Sequence, residues 1–433
     1  MGQGDARPHD AADIGHYLCI DMKSFYASVE CVDRGLDPLT ADLVVADPTR
    51  GDGTLCLAVS PHLKAQGVSG RARVYQIPSR LTYTKAMPRM RRYMEASADV
   101  YQTYLRWVSA QDVHAYSCDE AFLDVGPYLR YYGCSAEELA GRIIADVHER
   151  TGLVATAGVG TNLFLCKVAC DIVAKHAPNF IGQLDGASFR RRVWHHRPIT
   201  DIWGVGPGIA RRLLARFGVR DLEGVCHIPW EDLRREFGTN ARHLADHARG
   251  IETTTLAQIK EYQPATSSIS NGQVLMRDYE EDEALVVALE MLDESALELT
   301  RRGMLASSVS AWMAWSHANG RNGSGVGGQI TLPEPTDSRD QLAQAVSSIL
   351  KARMGSGLKV RRVGIGLGGL VPERGSQPTL FCNEEAREKD RRLQRAVLAA
   401  RGRFGNTAVM RGRSLTQAGT GFERNLQIGG HHA

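Results

Sequence analysis

The order of apolar runs and amphipathic stretches in the first part of the chain predicts a mixed sheet-and-helix domain. Residues 17–21 (YLCID) are an apolar run typical of a buried strand, and residues 24–34 have apolar positions at helical spacing. Runs 43–46 and 55–59 flank a turn-rich segment and predict a hairpin. The other predicted strands are 113–118, 121–125 and 154–159, and the other helices are 61–66, 88–108, 136–150 and 163–175. These elements predict a small α/β sheet domain with one inserted module.

The pattern changes in the second half of the chain. From Ile199 to about Gly250, short helical stretches are broken by glycines, and the polar residues 261–266 favour a linker. Strands and helices then alternate in the order βαββαβ, which is typical of a compact two-layer domain. The predicted elements are strand 267–276, helix 281–303, strand 307–316, turn 319–328, strand 329–332, helix 338–354 and strand 360–370. An acidic run at 280–283 suits the start of the first helix, so we interpret it as structural.

Composition and charge favour several folded domains with a basic C-terminal part. The chain has 433 residues, of which 43% are hydrophobic, so it can form more than one core. From Arg374 onward, 11 basic and 5 acidic residues give a net charge of +6, so the preceding part carries −3 of the total +3. Such a tail suits a protein that binds phosphate in one place and metal in another. Its predicted helix, about 384–401, could contact DNA or only face solvent.

The sequence contains no recognisable signal for export or membrane insertion. Its nine cysteines show no zinc-ligand spacing, and several lie in apolar runs, where a free cysteine acts as a small hydrophobic residue. We therefore expect a protein of the reduced cytoplasm that associates with the nucleoid when bound to DNA. The polar residues 1–13 are expected to be disordered.

Three acidic residues occupy positions where predicted strands end. Asp21 closes the first run, and Asp119 and Glu120 lie in the turn between runs 113–118 and 121–125. Acids at strand ends can meet at one edge of a sheet, where they repel one another unless cations lie between them. Two Mg²⁺ ions about 3.5–4 Å apart would neutralise them and bind incoming phosphates. Each acid is equally compatible with an ordinary turn residue, so spacing alone leaves the interpretation undecided.

The residues around these acids resemble the motifs of a known family. Residues 20–30 (IDMKSFYASVE) resemble the first motif of the Y-family DNA polymerases, and residues 116–124 (YSCDEAFLD) resemble the second. A third stretch, 157–176, contains AGVGTNL, KVA and AKH in the family's order. The resemblance covers almost the whole chain and is greatest to the bacterial UmuC/UvrX-like branch. It implies an α/β (α+β) right-hand polymerase with a ferredoxin-like palm, small fingers, a helical thumb and a βαββαβ little finger.

The resemblance implies a metal-binding role for the matched acids. Asp21, Asp119 and Glu120 would be the catalytic ligands of two Mg²⁺ ions, with the backbone carbonyl of Met22 as a further ligand. Asp124 would either support this site or serve only the fold.

The resemblance also implies how the nucleotide is bound. Tyr26 matches the steric gate, whose ring would collide with a ribose 2′-oxygen, and core packing is the alternative. Phe25, Lys64 and Lys175 would bind the nucleotide with it, and Lys175 is displaced by one position from the commonest family spacing. Lys23 stands where many members have Asp or Asn, a position that is not a required ligand.

Two segments are expected to contact DNA. A glycine-rich loop resembles a helix-hairpin-helix, in which exposed N–H groups bind a phosphate, and a plain helix turn is the alternative. Its candidate residues are Gly204, Val205, Gly206 and Gly208. Basic residues beside the last strand of the βαββαβ unit would contact the duplex, with a solvated strand edge as the alternative. These residues are Lys359, Arg361 and Arg362.

A pentapeptide beyond the βαββαβ unit resembles the bacterial sliding-clamp motif. Residues 377–381 (QPTLF) place Gln377 before the apolar anchors Leu380 and Phe381. The expected partners are thus primer–template DNA, deoxynucleotides and the sliding clamp. Whether a recombinase or an accessory subunit also takes part stays open, and no membrane partner is expected.

The resulting prediction is a low-fidelity DNA polymerase that copies damaged templates. Its expected parts are a disordered start (1–13), a palm (14–26 and 91–182), fingers (27–90), a thumb (183–258), a little finger (265–372) and a tail with the clamp motif (373–433). Two alternatives remain, a nucleotidyl cyclase and a non-catalytic accessory protein that binds DNA or the clamp. The glycine-rich loop and clamp motif argue against the first, and the complete acidic trio argues against the second.

Overall fold

The computed structural model describes residues 15–264, 267–319, 324–373 and 384–432, which form two compact units. One unit ends at Tyr262 and the next begins at Gln263, within the segment predicted as a linker. The predicted disordered start and the QPTLF motif lie outside the described residues. None of the described helices is long and apolar enough to cross a membrane.

The first unit combines short strands with many helices. Its strands are β1 Tyr17–Met22, β2 Leu43–Val45, β3 Ala58–Val59, β4 Thr84–Ala86, β5 Val113–Ala115, β6 Glu120–Asp124, β7 Ala155–Gly160 and β8 Ile181–Leu184. Its helices are α1 Phe25–Val32, α2 Pro61–Ala65, α3 Met90–Tyr104, α4 Leu129–Tyr132, α5 Ala136–Thr151, α6 Leu163–Val168, α7 Gly186–Arg192, α8 Pro207–Phe217, α9 Leu222–Cys226, α10 Trp230–Phe237, α11 Asn240–Ala248 and α12 Leu256–Glu261.

The central sheet of this unit has the strand order β5-β6-β1-β7-β8. Strand β1 pairs antiparallel with both β6 and β7, while β7 and β8 run parallel. The apolar run at Leu18, Cys19 and Ile20 is completely buried, as expected for a strand covered on both faces. The predicted small α/β sheet is confirmed, and the two strands that carry the acids are neighbours.

Strand β7 contains glycines because helix α6 lies directly against it. A Cβ on Gly158 would lie 2.0 Å from the carbonyl oxygen of Cys166, an approach that only glycine permits. Beyond α6 the chain forms a π turn over Ala169–Val173 and a 3₁₀ turn over Ala174–His176. The helix predicted for 163–175 is therefore confirmed in its extent, and the extra residue in the π turn changes which side chains face the sheet.

The inserted module forms a separate three-stranded sheet with the order β3-β2-β4. The antiparallel pairing of β2 with β3 confirms the predicted hairpin. Strand β4, which runs parallel to β2, and strand β8 of the central sheet were not predicted. Both are too short to show a hydrophobic period, since their sequences are TKA and IGQL.

Short helices from α7 to α12 follow the sheet. Helices α7 to α11 share a core with α6 and β8, whereas Leu256 of α12 packs with Cys19 and Phe122 of the sheet. The glycine-broken pattern predicted them because glycines and capping residues end each helix within a few turns. For example, α8 starts with Pro207 and ends at Gly218, which has a φ of 68°.

The second unit is an antiparallel sheet covered by helices. Its strands are β9 Ser268–Tyr279, β10 Met304–Trp315, β11 Gly325–Thr336, β12 Val360–Gly368, β13 Val371–Pro372, β14 Gln427–Ile428 and β15 His431–His432. Its helices are α13 Glu281–Arg302, α14 Arg339–Lys351, α15 Glu384–Phe404 and α16 Gly421–Asn425. The main sheet has the order β11-β10-β12-β9, which confirms the predicted βαββαβ succession. Strand β11 is longer than the predicted 329–332, because its glycines pair with β10.

The described C-terminal residues belong to the second unit, and helix α15 confirms the helix predicted at about 384–401. Helix α15 packs along α13, and Gln394 is 4% exposed. Arg391 forms an ion pair of 2.9 Å with the buried Asp337. Three arginines of α15, Arg391, Arg395 and Arg401, form ion pairs with Asp337, Glu373 and Glu294 elsewhere in the second unit.

Candidate active site

Strand pairing brings the three predicted metal ligands to one end of the central sheet. Asp21 on β1 lies directly opposite Glu120 on β6 in the strand register. The backbone N–H of Met22 donates to the carbonyl oxygen of Asp119, at 3.0 Å. The acids are therefore neighbours through backbone geometry, although about one hundred residues separate them along the chain.

The acid side chains bond to other groups in this structure. Glu120 accepts from Lys167 Nζ at 2.8 Å and from Cys19 Sγ at 3.0 Å. Asp119 accepts from the Ser117 hydroxyl at 2.6 Å. Among the residues that the structure describes, no three His, Cys, Asp or Glu side chains are arranged closely enough to hold a metal ion. The structure thus brings the predicted ligand positions together but does not direct their oxygens at one point.

The electrostatics of the site suit a cation. Burial raises the pKa of Asp21 to about 6. The nearby carboxylates of Asp119 and Glu120 contribute to this rise, whereas Lys175 opposes it. A divalent cation would relieve this crowding of acids, and carboxylate oxygens are ligands that Mg²⁺ accepts. The donor set therefore fits such an ion.

Lys167 is a feature of the site that the sequence analysis missed. It is 7% exposed and bonds both Glu120 and Asp171, the latter at 2.9 Å. Its signal was present in the sequence, because Lys167, Asp171 and Lys175 recur at intervals of four residues beside the acids.

The candidate steric gate, Tyr26, is held on two sides. Its ring stacks on that of Tyr93, with centroids 4.7 Å apart, and its hydroxyl lies 3.1 Å from Cys118 Sγ. The Tyr93 hydroxyl in turn donates to the buried carboxylate of Glu30, at 2.7 Å. Phe25 is 2% exposed and its ring packs against that of Tyr26, with ring centroids 5.5 Å apart. The ring of Tyr26 is thus held by packing against Tyr93 and Phe25.

Three lysines surround Asp21. Lys175 Nζ lies 3.8 Å from the Asp21 carboxylate. Lys64 Nζ donates to the Ser24 hydroxyl at 2.8 Å, and burial together with Lys175 and Lys23 lowers its pKa. Lys23 Nζ lies 4.4 Å from the centroid of the Phe180 ring, a cation–π contact. The positive charges of these three lysines lie close together, which is the arrangement expected of an anion-binding site.

Asp124 serves the fold. Its carboxylate accepts from the backbone N–H of Gly126 at 3.1 Å, which holds the turn after β6. This contact favours the structural role over the alternative of supporting the acids.

The glycine-rich loop has the open backbone that phosphate binding needs. Gly204 has a φ of +87°, and a Cβ on Gly206 or Gly208 would meet no atom within 4 Å. The intervening Val205 is 5% exposed and anchors the loop in the helical core. Trp203, just before the loop, donates to the hydroxyl of Tyr116 at 3.2 Å.

A cavity of about 540 Å³ separates this loop from the acids. It is lined by Glu120 and Lys167 on one side and by the residues from Thr200 to Gly206 on the other. Tyr116 belongs to the same turn as Asp119, so the Trp203 contact fixes the loop to the turn that carries an acid.

The basic residues of the second unit are partly engaged. Lys359 forms an ion pair with Glu280, and Arg361 lies 3.4 Å from Asp278. Arg362, which pairs with Val274 in the sheet, is exposed. A phosphate would therefore compete with acids for two of these three residues.

Comparisons with known proteins agree with the geometry. Residues 20–171 match the model of the impB/mucB/samB family, and residues 266–380 match the C-terminal domain of that family. The protein named as UV-damage repair protein UvrX of Bacillus subtilis (strain 168) is 31% identical over 96% of this chain and 97% of its own length. DNA polymerase IV 2 of the same organism is 30% identical over 95% of this chain and 98% of its own.

A solved Y-family DNA polymerase chimera has the same fold. It superposes with a TM-score of 0.63 over 82% of this chain and 99% of its own, at 19% identity. Sequence identity over nearly the full length and the paired family matches lead to one conclusion. The chain belongs to the impB/mucB/samB family of Y-family DNA polymerases.

Proposed function

We propose that this chain is a template-directed DNA polymerase that performs low-fidelity translesion synthesis on damaged DNA. The observation that carries the proposal is the pairing of Asp21 with Glu120 across β1 and β6, beside Asp119. The names of the two Bacillus subtilis relatives, a UV-damage repair protein and a DNA polymerase, support it.

The parts of the chain are assigned accordingly. Residues 14–26 and 91–182 form the palm, 27–90 the fingers, 183–258 the thumb and 265–372 the little finger. The central sheet, the small sheet β3-β2-β4, the run of short helices and the second unit's sheet support these assignments in turn. The chain is expected to work in the cytoplasm, on DNA.

The acids are proposed to hold the metal ions. Asp21, Asp119 and Glu120, with the carbonyl of Met22, would bind two Mg²⁺ ions. When bound, such ions activate the primer 3′-hydroxyl and stabilise the leaving pyrophosphate oxygen. The chain's own contribution is to hold these carboxylates at one sheet edge, with Lys167 balancing the charge of Glu120.

The nucleotide is proposed to lie between the lysines and the gate. Lys64 and Lys175 would bind the triphosphate, because their charges converge near Asp21. Tyr26 would exclude a ribose 2′-hydroxyl, because Tyr93 and Cys118 prevent its ring from moving aside. Phe25 would support the sugar and triphosphate, and its ring packs against that of Tyr26.

DNA and the clamp are the proposed macromolecular partners. Gly204, Val205, Gly206 and Gly208 would bind one backbone phosphate through N–H groups, and Lys359, Arg361 and Arg362 would contact others. Gln377, Leu380 and Phe381 would anchor the chain to the sliding clamp. Low fidelity follows from fingers built on a small three-stranded sheet, which leave room for a distorted template base.

Primer extension distinguishes this proposal from its rivals. The full chain, Mg²⁺ and four deoxynucleotides should extend a primer in the order that the template dictates. Product formed from a single nucleotide without DNA would instead indicate a cyclase. Binding of DNA without extension over a Mg²⁺ titration would indicate an accessory protein.

A further inference from the structure

The turn that carries Asp119 is exposed, so each contact that holds it matters for the position of this acid. Tyr116, Ser117 and Cys118 precede Asp119 in the turn, and all three are exposed. Exposed turns have few packed side chains and move more easily than the strands they join. A proposed metal ligand must nevertheless be held to within about 0.5 Å of its working position. The contacts of this turn therefore affect how well Asp119 can act.

The sheet holds the backbone of the turn. The backbone N–H groups of Tyr116 and Ser117 both donate to the carbonyl oxygen of Glu120, at 2.9 and 3.1 Å. The ring of Tyr116 meets that of Phe122 edge-on, with ring centroids 5.6 Å apart. The hydroxyl of Tyr116, however, is bonded by a residue that lies outside the sheet.

That residue is Trp203, which immediately precedes the glycine-rich loop. Its indole N–H donates to the Tyr116 hydroxyl at 3.2 Å, and the two rings meet edge-on with centroids 6.1 Å apart. The indole also stacks on His247, with ring centroids 5.9 Å apart. His247 in turn stacks on the buried ring of Phe164, at 4.2 Å. Trp203 is thus held by the helical region on one side and bonds the acid-bearing turn on the other.

The loop that follows Trp203 has backbone freedom that a bound phosphate would reduce. Gly204 has a φ of +87°, and a Cβ on Gly206 or Gly208 would meet no atom within 4 Å. Glycine has more backbone freedom than any other residue, and it lets a phosphate approach the backbone closely. Because Gly204 is the next residue after Trp203, a phosphate that orders the loop also restrains the indole.

We propose that the Trp203–Tyr116 contact transmits the binding of a DNA phosphate at the glycine-rich loop to Asp119, which makes both aromatic residues positioning residues for nucleotidyl transfer. The inference rests on the proposed polymerase function. A phosphate on the loop orders Gly204 and Trp203, the indole then holds the Tyr116 hydroxyl, and the turn is fixed three residues before Asp119. Phosphate contacts place a protein on DNA. In this chain one of them also raises the rate of the chemical step.

Two variants remove the contact from either side. Tyr116→Phe deletes the acceptor and keeps the ring against Phe122, and Trp203→Phe deletes the donor. Each should lower the single-turnover rate of the full chain, at saturating DNA and deoxynucleotide, about three- to tenfold, as expected for one neutral hydrogen bond. The double variant should be no slower than the slower single variant, because both changes remove the same contact. Tyr131→Phe, which changes a tyrosine that is 82% exposed, should match the wild type.

The dependence on nucleotide separates positioning from substrate binding. Neither Tyr116 nor Trp203 is assigned to the nucleotide, so KM for deoxynucleotides should stay within about twofold of the wild-type value in both variants. A rise of KM with an unchanged rate at saturation would contradict the proposed role.

Neutral phosphates on the primer–template test whether the loop is the origin of the effect. One phosphate at a time is replaced by a methylphosphonate, and the single-turnover rate at saturating DNA is measured. At the phosphate that the loop binds, the replacement should slow the wild type at least about threefold and Tyr116→Phe less than about 1.5-fold, because the variant has already lost the path to Asp119. A contact that serves only the fold would leave both proteins equally sensitive at every position.

Equal sensitivity of the wild type and Tyr116→Phe at every phosphate would overturn the inference and leave the polymerase function intact. The same holds if no replacement slows the wild type. A wild type that extends no unmodified primer would instead overturn the proposed function, and the inference with it.

Discussion

Lys175 Nζ lies 3.8 Å from the Asp21 carboxylate, although Lys175 is displaced by one position from the commonest family spacing. The π turn over Ala169–Val173 precedes the lysine and takes one more residue per turn than an α-helix. Close packing of the turn on the glycines of β7 and β8 fixes where the lysine emerges. The turn and its packing therefore set the position of Lys175 relative to Asp21.

Lys175→Met should weaken nucleotide binding while leaving the fold intact. Loss of a charge-assisted contact to the triphosphate costs about 1.5–3 kcal/mol, so KM for deoxynucleotides should rise about 10- to 100-fold. Steady-state primer extension measures this change. Lys260→Met, which removes a lysine that bonds only the carbonyls of Ala110 and Gln111, serves as the control. An unchanged KM in Lys175→Met would remove this residue from the triphosphate site.

Tyr26→Ala should admit ribonucleotides. Without the ring, the 2′-hydroxyl meets no obstacle, so the ratio of kcat/KM for deoxyribonucleotides over ribonucleotides should fall at least about tenfold. Tyr26→Phe is the matched control, because it keeps the ring stacked on Tyr93 and removes only the contact with Cys118. Discrimination that survives Tyr26→Ala would assign the gate to another residue.

The contact between Glu252 and His247 should make the stability of the region of short helices depend on pH. Burial would raise the pKa of Glu252, but bonds from His247 and Thr254 outweigh it and lower this pKa to about 2. The folded state thus favours the charged carboxylate. Its stabilising contribution is complete above the unfolded pKa of about 4.3 and is lost as pH falls toward 2.

Glu252→Gln should therefore lower the free energy of unfolding by about 1–3 kcal/mol at pH 7 and progressively less below pH 4. Denaturant unfolding of the full chain at several pH values measures this difference. His247 also stacks on Trp203, just before the glycine-rich loop, with ring centroids 5.9 Å apart, so the variant should loosen this loop and weaken DNA binding. A difference in the free energy of unfolding between the wild type and Glu252→Gln that stays constant from pH 7 to pH 3 would contradict the lowered pKa of Glu252.

The clamp motif should act only when the clamp is present. Leu380→Ala together with Phe381→Ala removes both apolar anchors and should abolish clamp stimulation of primer extension without changing the basal rate. Thr379→Ala within the same pentapeptide is the control. Stimulation that persists in the double variant would place the clamp contact elsewhere.

Much of the fold could be predicted because burial leaves a clear pattern in the sequence. The run at 17–21 is apolar because β1 lies in the middle of the sheet, and the long helices α5 and α13 show regular apolar spacing. Strands β4 and β8 escaped prediction because three or four residues show no period. The helix at about 384–401 was predicted, but its packing on the second unit was not, because ion pairs such as Arg391–Asp337 hold part of it rather than apolar residues.

The proposed metal ligands could be predicted from the sequence, but the contacts that their side chains make in the structure could not. Asp21, Asp119 and Glu120 lie beside residues that match the family motifs, and strand register then makes them neighbours. The four-residue spacing of Lys167, Asp171 and Lys175 marks Lys167, but it does not show that α6 packs closely on β7 and brings this lysine to Glu120.

The most direct test of the account is primer extension by Asp119→Ala/Glu120→Ala, compared with Glu95→Ala/Asp99→Ala on the exposed face of α3. Both variants lose two negative charges, but only the first removes the proposed metal ligands. The account predicts no detectable synthesis by the first variant, full synthesis by the second, and template binding by both. Synthesis by Asp119→Ala/Glu120→Ala at a rate close to that of the wild type would contradict it.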